Sequence, residues 1–227
     1  MTSLLRRVAE GLWEIDRPQR AAGFELGHRM CVARLASGRL WVHSPVRIDP
    51  GLAAEVDALG EVDHIVAPSV MHDLYLDGWL DRYQTAVFHA PPGLATRHPP
   101  LRQPRLLGSD PPGAWNADFD QELAGGIPRL NEVVFLHRPS RTLLVADLIF
   151  NLPRGASLVQ RALQSANGVA GRPAVSRLFR LQVRHRAALR RSLDRILAWD
   201  FDRLLPGHGT ILETGGKEAL RLAYGWM

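Results

Sequence analysis

The amino-acid sequence predicts an α/β (α+β) fold in which two strand-rich halves pack face to face, with helices on both outer sides. Short apolar or alternating runs, separated by turns that contain Gly or Pro, predict strands across 12–44. Helix and strand patterns alternate over 51–90, which is typical of a parallel, buried part of a sheet. An apolar hairpin pattern over 131–150 belongs to a second set of strands. A chain of 227 residues is long enough for one such domain, which we expect to span 1–227.

The first half contains four predicted strands before its first predicted helix. They lie at 12–16, 23–27, 30–36 and 40–44. A helix over 51–60 follows, because Leu52, Val56 and Leu59 recur on one helical face. A continuous apolar strand at 64–68, a helix over 72–83 and a strand at 85–90 complete this half.

The second half follows a Pro- and Gly-rich stretch, 91–117, which we expect to be a surface excursion. Its predicted strands lie at 119–123, in the two arms of the hairpin, and in "FDRLLPGHG", 201–209. Its predicted helices lie at 155–167, 185–198 and 215–226. In the second of these helices, Leu189, Leu193, Ile196 and Leu197 form one apolar stripe, while Arg190 and Asp194 stand one turn apart on the other side.

The composition is that of an ordinary globular protein, with 46% hydrophobic and 22% charged residues. No apolar run approaches the roughly 20 residues that span a bilayer, and the first residues do not form a signal-peptide pattern. The single cysteine, Cys31, excludes an internal disulfide, and we expect it to be a buried small hydrophobic residue rather than a nucleophile. The expected location is the cytoplasm, with no membrane contact.

Polar residues of the kinds that bind metals follow three predicted strands. His72 and Asp73 come after the strand at 64–68, Asp147 ends the second hairpin strand, and His208 lies in "LLPGHG". Strand ends in one layered domain tend to meet at one rim, where ligands gather. His43 and His89, which also lie at strand ends, are candidates for the same rim. The alternative for His208 is a loop histidine that hydrogen-bonds a nearby carbonyl, and for each aspartate a helix or turn cap.

The order of these elements resembles the metallo-β-lactamase-like hydrolases. "LLVAD" resembles the family's strand with a metal-bridging aspartate, "LLPGHG" its terminal histidine loop, and "LWVHSPV" a strand and turn that usually contain Val-Asp-Thr-Gly. The resemblance implies a four-layered αβ/βα sandwich of metallo-β-lactamase type, in which one or two ions, usually zinc or iron, activate a water. More narrowly, "FELGHRM" and "FLHRPSRTLLVADLIFN" resemble the bacterial DUF4336 proteins, which imply no known reaction.

The sequence departs from the family's His-x-His-x-Asp-His motif. With "IVAP" as the preceding strand, Ser69 and Met71 replace the first two histidines, Asp73 falls on the aspartate and Leu74 replaces the last histidine. No histidine stands in "ELAGGIPRL", where a later ligand belongs. The resemblance therefore implies that one metal position has lost its ligands, and that the other keeps Asp73, Asp147 and His208. A shift of one residue brings His72 into the motif instead.

Two hypotheses follow for the cofactor. In one, Asp73, Asp147 and His208, or His72 after the shift, hold one divalent ion, which is zinc, iron or manganese. In the other, no ion binds, and Asp147 and His208 hydrogen-bond each other in a remnant pocket. The rim of the pocket is predicted to include His43, Ser44, Ser69 and His89, and the catalytic residues stay unknown.

We therefore expect a divergent metallo-β-lactamase-like protein whose degenerate site has lost two-zinc hydrolysis and takes an unidentified small-molecule ligand. One alternative is a single-ion hydrolase that acts on an ester, amide or phosphodiester. Another is a non-enzymatic binding module that uses the rim pocket or the arginine-rich segment 171–195. Phe179 is the only aromatic residue of that segment, so it offers no stacking platform for bases, and we do not expect nucleic-acid binding.

Overall fold

A computed structural model describes residues 3–21, 23–94 and 102–227. Most of its strands form two sheets. The larger sheet has the strand order β1-β2-β5-β6-β7-β8-β9, and the smaller one has the order β10-β11-β12-β13, while β3 and β4 form a separate short hairpin. The bounds of the strands are β1 Arg6–Ala9, β2 Leu12–Arg17, β3 Arg20–Ala21, β4 Phe24–Glu25, β5 His28–Arg34, β6 Leu40–His43, β7 Val62–Val66, β8 Val87–Ala90, β9 Arg105–Leu106, β10 Phe119–Leu123, β11 Val133–His137, β12 Thr142–Val145 and β13 Arg203–Pro206.

Six α-helices lie within the described residues. Their bounds are α1 Pro50–Leu59, α2 Leu76–Arg82, α3 Leu158–Asn167, α4 Arg177–Arg180, α5 Arg186–Ala198 and α6 Gly216–Ala223. Side-chain caps begin two of the longer helices: the Asp49 carboxylate accepts the Leu52 N–H, and the Ser157 hydroxyl accepts the Gln160 N–H. None of these helices is both long and apolar enough to cross a membrane.

The strands alternate their side chains between two cores, which produces four layers. On β6, Trp41 packs between the two sheets, while Leu40 and Val42 pack on the opposite face against α1 and α2. On β11, Phe135 lies between the sheets, while Val134 packs against α5 and α6. The order of layers is therefore helices, sheet, sheet, helices, as the sequence predicts.

The parallel strands point their carboxyl ends toward the same edge of each sheet. In the larger sheet, β6, β7 and β8 are parallel and are connected through α1 and α2. In the smaller sheet, β12 and β13 are parallel. The expected apolar stripe of α5 is confirmed, with Leu189, Leu193 and Ile196 buried. Cys31 is also buried, as expected, and burial raises the pKa of its thiol to about 12.

Two segments differ from the sequence prediction. The helix expected over 72–83 begins only at Leu76, because turns occupy the residues after β7, where the Ser69 hydroxyl accepts the Met71 N–H. The stretch 91–117 contains β9 and sends Leu107 and Trp115 into the core between the sheets, so its described part does not lie wholly on the surface. Part of this stretch, 95–101, lies outside the described residues.

Candidate metal centre

The candidate site is built from the ends of strands in both sheets. Ser44 directly follows β6, His72 lies in the turns after β7, Asp147 follows β12, and His208 follows β13. His28 opens β5, which runs antiparallel to β6, so the first residue of β5 meets the same edge as the last residue of β6. The expectation that strand ends converge is therefore met by residues from both sheets.

His72, Asp147 and His208 form the cluster. Each offers one ligand atom, and these atoms all lie within 4.8 Å of one another. His72 Nε2 is 3.6 Å from Asp147 Oδ2, and His208 Nε2 is 3.3 Å from Asp147 Oδ1. All three side chains are at most 15% exposed. Two imidazoles and one carboxylate are a ligand set that zinc and iron both accept in proteins.

The proton of His208 lies on the nitrogen that faces away from the cluster. His208 Nδ1 is 2.7 Å from the carbonyl oxygen of Gly27, which can only accept a hydrogen bond, so Nδ1–H is the donor. The neutral ring therefore presents a lone pair at Nε2 toward Asp147. Burial lowers the pKa of His208, but the Asp147 carboxylate outweighs burial and raises this pKa above its usual value.

A chain of hydrogen bonds connects His72 to His28 and Gln19. His28 Nδ1 is 2.7 Å from Gln19 Oε1, and burial lowers the pKa of His28 well below its usual value, so this ring is neutral and carries one N–H. His28 Nε2 is 3.2 Å from the Ser44 carbonyl oxygen and 3.0 Å from Ser44 Oγ, which is in turn 2.7 Å from His72 Nδ1. The Ser44 hydroxyl can donate to His72 Nδ1 or accept from it, so this chain orients the His72 ring with Nε2 toward Asp147 and allows either nitrogen to carry the proton.

When the His208 ring is neutral, its Nε2 lone pair thus faces the Asp147 carboxylate, and His72 Nε2 faces the same carboxylate. Burial by itself raises the pKa of Asp147, but His72 and His208 outweigh burial and hold the pKa below its usual value. Asp147 Oδ2 is buried and has no hydrogen-bond partner in the described part of the chain. Such an arrangement is stabilised by a cation at its centre, either a metal ion or a proton.

Buried charged residues hold the two loops that carry Asp147 and His208. The Glu132 carboxylate accepts the N–H groups of Ala146 and Asp147 at 2.7 and 2.8 Å. Burial and the neighbouring Asp147 raise the pKa of Glu132 to about 8. Arg29 donates to the carbonyl oxygens of Pro206 and Gly209, on either side of His208, at 2.6 and 2.7 Å. Both loops are therefore fixed from within the protein.

A small cavity of about 180 Å³ opens onto the cluster. His72, Asp147 and His208 line it, and most of the other lining residues are apolar. Its apolar lining includes Leu26, Met71, Leu130, Phe150, Leu178 and Phe179. The Phe150 ring stacks on the His208 imidazole with centroids 5.4 Å apart and planes at 8°. The cavity can therefore admit only a small group next to the cluster.

The structure brings together Asp147, His208 and His72, the last of which the sequence offered as the alternative to Asp73. Asp73 is 8% exposed and does not belong to the cluster. The turns after β7 aim His72 rather than Asp73 at the strand ends of the smaller sheet. The ligand set of Asp73, Asp147 and His208 expected from the sequence therefore differs from the observed cluster by one neighbouring residue.

The predicted rim residues occupy different surroundings, and none of the four lines the cavity. The Ser44 hydroxyl hydrogen-bonds His72 Nδ1, and the Ser69 hydroxyl accepts the Met71 N–H in the turn that precedes His72. His43 stacks on Trp41 between the sheets, with centroids 5.4 Å apart. His89 Nε2 is 3.2 Å from His64 Nδ1, and the His89 ring packs on Trp115.

Sequence reasoning missed His28, Arg29 and Glu132. His28 and Arg29 begin β5, and their place at the site follows only from the antiparallel pairing of β5 with β6. Glu132 directly precedes the apolar run of β11 and is buried. Charged residues are seldom fully buried without partners, so a glutamate beside such a run is a sequence signal for a buried polar contact.

A family model identifies the chain. The model described as "Domain of unknown function (DUF4336)" matches residues 9–178, which is most of the sequence. The chain belongs to the DUF4336 family. No curated protein matches this DUF4336 chain.

Solved structures establish the fold of this DUF4336 member. The metallo-β-lactamase DIM-1 exposed to ceftazidime is 16% identical, with 96% of this chain and 94% of that chain covered and a TM-score of 0.67. FIM-1 from Pseudomonas aeruginosa, in a mono-zinc form, is 15% identical, with coverage of 96% and 92% and a TM-score of 0.64. The Flv1 flavodiiron core from Synechocystis is 10% identical, with a TM-score of 0.68, and this chain spans 60% of it. The fold is that of the metallo-β-lactamases.

Proposed function

We propose that this chain is a hydrolase that holds a single divalent metal ion with His72, Asp147 and His208. One observation carries the proposal: three buried ligand-type side chains converge, and the hydrogen bond to Gly27 holds the His208 proton on the nitrogen that faces away from the cluster. FIM-1, which shares the fold, has been solved with one zinc. A single ion is also consistent with the sequence expectation that the two-zinc activity is lost.

The protein residues have separate roles in this proposal. A bound ion would supply Lewis acidity, which polarises the carbonyl or phosphoryl oxygen of a substrate. The Gly27 carbonyl keeps the His208 proton on Nδ1, and the Ser44 hydroxyl orients the His72 ring. Glu132 and Arg29 fix the two loops, which preserves the ligand geometry. The apolar lining limits water and favours a substrate with an apolar group beside the scissile bond.

Metal content measured by plasma mass spectrometry tests the proposal. Purified protein is loaded in turn with zinc, manganese or ferrous iron, and about one ion per chain is expected for one of these metals. The variants His72→Ala, Asp147→Asn and His208→Ala should each lose it. Asp73→Asn is the matched control, because Asp73 adjoins His72 but lies outside the cluster, and this variant should keep its ion.

Activity is measured on the same samples with nitrocefin, p-nitrophenyl acetate and bis(p-nitrophenyl) phosphate. Turnover of one of these should require the loaded metal and disappear in Asp147→Asn, while circular dichroism checks that each variant is folded. Failure of the wild-type chain to bind any of the three metals would overturn the proposal. Loss of the ion in Asp73→Asn but not in His72→Ala would move the ligand set to Asp73.

A non-enzymatic binding pocket is the second candidate function. The 3.3 Å contact between His208 Nε2 and Asp147 Oδ1 favours it, because a proton on His208 turns this contact into a closed ion pair. In that case the cavity would bind a small apolar ligand without turning it over. A folded protein that takes up no metal, and whose melting temperature does not respond to a chelator, is the expected outcome.

A further inference from the structure

A second cavity lies beside the loop that carries His208. Its volume is about 520 Å³, within the range of small-molecule sites, and α3 forms one of its walls. The polar side chains that line it are Asn151, Arg154, Arg161, Ser165 and Thr210. None of them belongs to the candidate metal centre.

The cavity is positively charged. Arg154 and Arg161 line it, and no acidic side chain does. The segment between Asp147 and Asp194 is rich in arginine and contains neither aspartate nor glutamate, so no carboxylate within it can neutralise these two side chains. Many arginines elsewhere form ion pairs, as Arg203 does with Glu213, but in the described part of the chain neither Arg154 nor Arg161 contacts an acidic side chain.

One buried donor of this cavity lacks an acceptor within the described residues. Arg161 Nε is buried and has no hydrogen-bond partner among the described residues, which is costly for a charged donor. The hydroxyls of Ser165 and Thr210 form no side-chain hydrogen bond in the described part of the chain, so they are available to a ligand as well. Two guanidinium groups and two hydroxyls around one space are the donor set that an oxyanion requires.

The chemistry favours a phosphate group over other anions. A phosphate monoester carries nearly two negative charges and three acceptor oxygens, whereas a carboxylate has one charge and two oxygens. The volume leaves room for a ligand body attached to the phosphate. Nucleic acids are not expected, because no aromatic side chain lines the cavity to stack a base. We propose that the cavity bounded by Arg154 and Arg161 binds the phosphate monoester of a small molecule.

This second site is connected to the candidate metal centre through the backbone. The Asn151 N–H donates to the His208 carbonyl oxygen at 3.3 Å, and the Thr210 N–H donates to the Asn151 carbonyl oxygen at 2.8 Å. A ligand that contacts Asn151 and Thr210 therefore contacts the same backbone that positions His208. The proposal does not rest on metal binding, and it stands or falls on its own test.

Isothermal titration with phenyl phosphate and with inorganic phosphate tests the site on protein treated with a chelator. The double variant Arg154→Gln/Arg161→Gln should bind at least about tenfold more weakly, since each charged hydrogen bond contributes on this scale. The matched control is Arg172→Gln/Arg184→Gln, which removes the same charge from the same acid-free segment but outside the cavity. It should change the affinity less than about twofold.

Four results would overturn the proposal. Equal losses of phosphate affinity in both double variants would indicate general charge attraction. Displacement of phenyl phosphate by duplex DNA, with the same salt dependence in both double variants, would indicate it as well. No binding of either phosphate probe to the wild-type chain excludes the site. The variant His208→Ala separates the two centres, because it should retain phosphate affinity. If His208→Ala instead loses phosphate affinity while Arg154→Gln/Arg161→Gln keeps it, the anion binds at the metal centre.

Discussion

The glycines on either side of His208 explain why this loop has so little side-chain bulk. A Cβ on Gly207 would lie 2.8 Å from the Ala146 carbonyl oxygen, and one on Gly209 would lie 2.2 Å from the Asn151 carbonyl oxygen. Gly209 also has a φ of 91°, a conformation that side chains of other residues rarely adopt. The loop therefore passes directly against the segment that carries Asp147, which brings His208 within reach of the carboxylate.

Gly209→Ala should lower the free energy of unfolding far more than the same substitution does at an ordinary glycine with a positive φ. The substitution combines backbone strain of about 1–2 kcal/mol with a clash that costs about 1–3 kcal/mol more. Gly215→Ala is the matched control, because Gly215 has a φ of 71° but no atom within 4 Å of the added Cβ. Urea unfolding of both variants measures the difference, and equal destabilisation would contradict the close approach.

At the residue scale, the sequence predicts Asp147 and His208 because each directly follows a recognisable apolar strand. It does not decide between His72 and Asp73. Turns fill the residues before α2, and side-chain direction in turns follows no period that can be read from sequence. His28 and Glu132 are missed for another reason, since their contacts depend on which strands and loops become neighbours.

At the scale of elements, Arg29 links the start of β5 to the loop after β13. Its side chain is 6% exposed, donates to the Glu14 carboxylate on β2, and also donates to two carbonyl oxygens of the histidine loop. The Arg29 N–H adds a bond to the Gly207 carbonyl oxygen at 2.9 Å. One buried guanidinium thus connects the larger sheet to the end of the smaller one.

Arg29→Met should lower the free energy of unfolding by about 3–5 kcal/mol, because it leaves the buried Glu14 and two carbonyl oxygens without this donor. Amide hydrogen exchange at 207–209 should accelerate as the loop loosens. Arg190→Met is the control, since it removes an exposed ion pair with Asp194 and should cost less than about 1 kcal/mol. A loss in Arg29→Met no larger than in the control would contradict the structural role of Arg29.

Most elements follow from local patterns, whereas the segment 91–117 does not. In the described part of this stretch, 91–94 and 102–117, Pro and Gly accompany short elements only, but they give no indication that Trp115 is fully buried. Trp115 packs against His89 and Trp41, which come from two strands of the larger sheet. Such burial depends on the gap that the two sheets leave between them, which no local pattern encodes.

At the scale of the whole molecule, several histidines are buried in neutral form. Burial lowers the pKa of His43 and of His89 to about 3, and that of His137 to about 4. In the unfolded chain, histidine has a pKa of about 6.5. As the pH falls below this value, the unfolded chain therefore takes up protons that the folded chain does not, and stability decreases.

The free energy of unfolding should fall between about pH 6.5 and pH 4, by about 1.4 kcal/mol per pH unit for each buried neutral histidine. Above this range, these groups contribute no pH dependence. His137→Gln should reduce the slope by about one proton, as measured by urea unfolding at a series of pH values. His185→Gln replaces an exposed histidine and should keep the wild-type slope, and an unchanged slope in His137→Gln would contradict the assignment.

The candidate centre takes His72 from the larger sheet and Asp147 and His208 from the smaller one, so neither half of the chain holds a full ligand set. An ion there would tie together points separated by more than half of the sequence, and it would act as a reversible cross-link between the sheets. Binding that requires the docked sheets stabilises only the folded state. Chelation would then lower the stability of the entire molecule, beyond emptying one pocket.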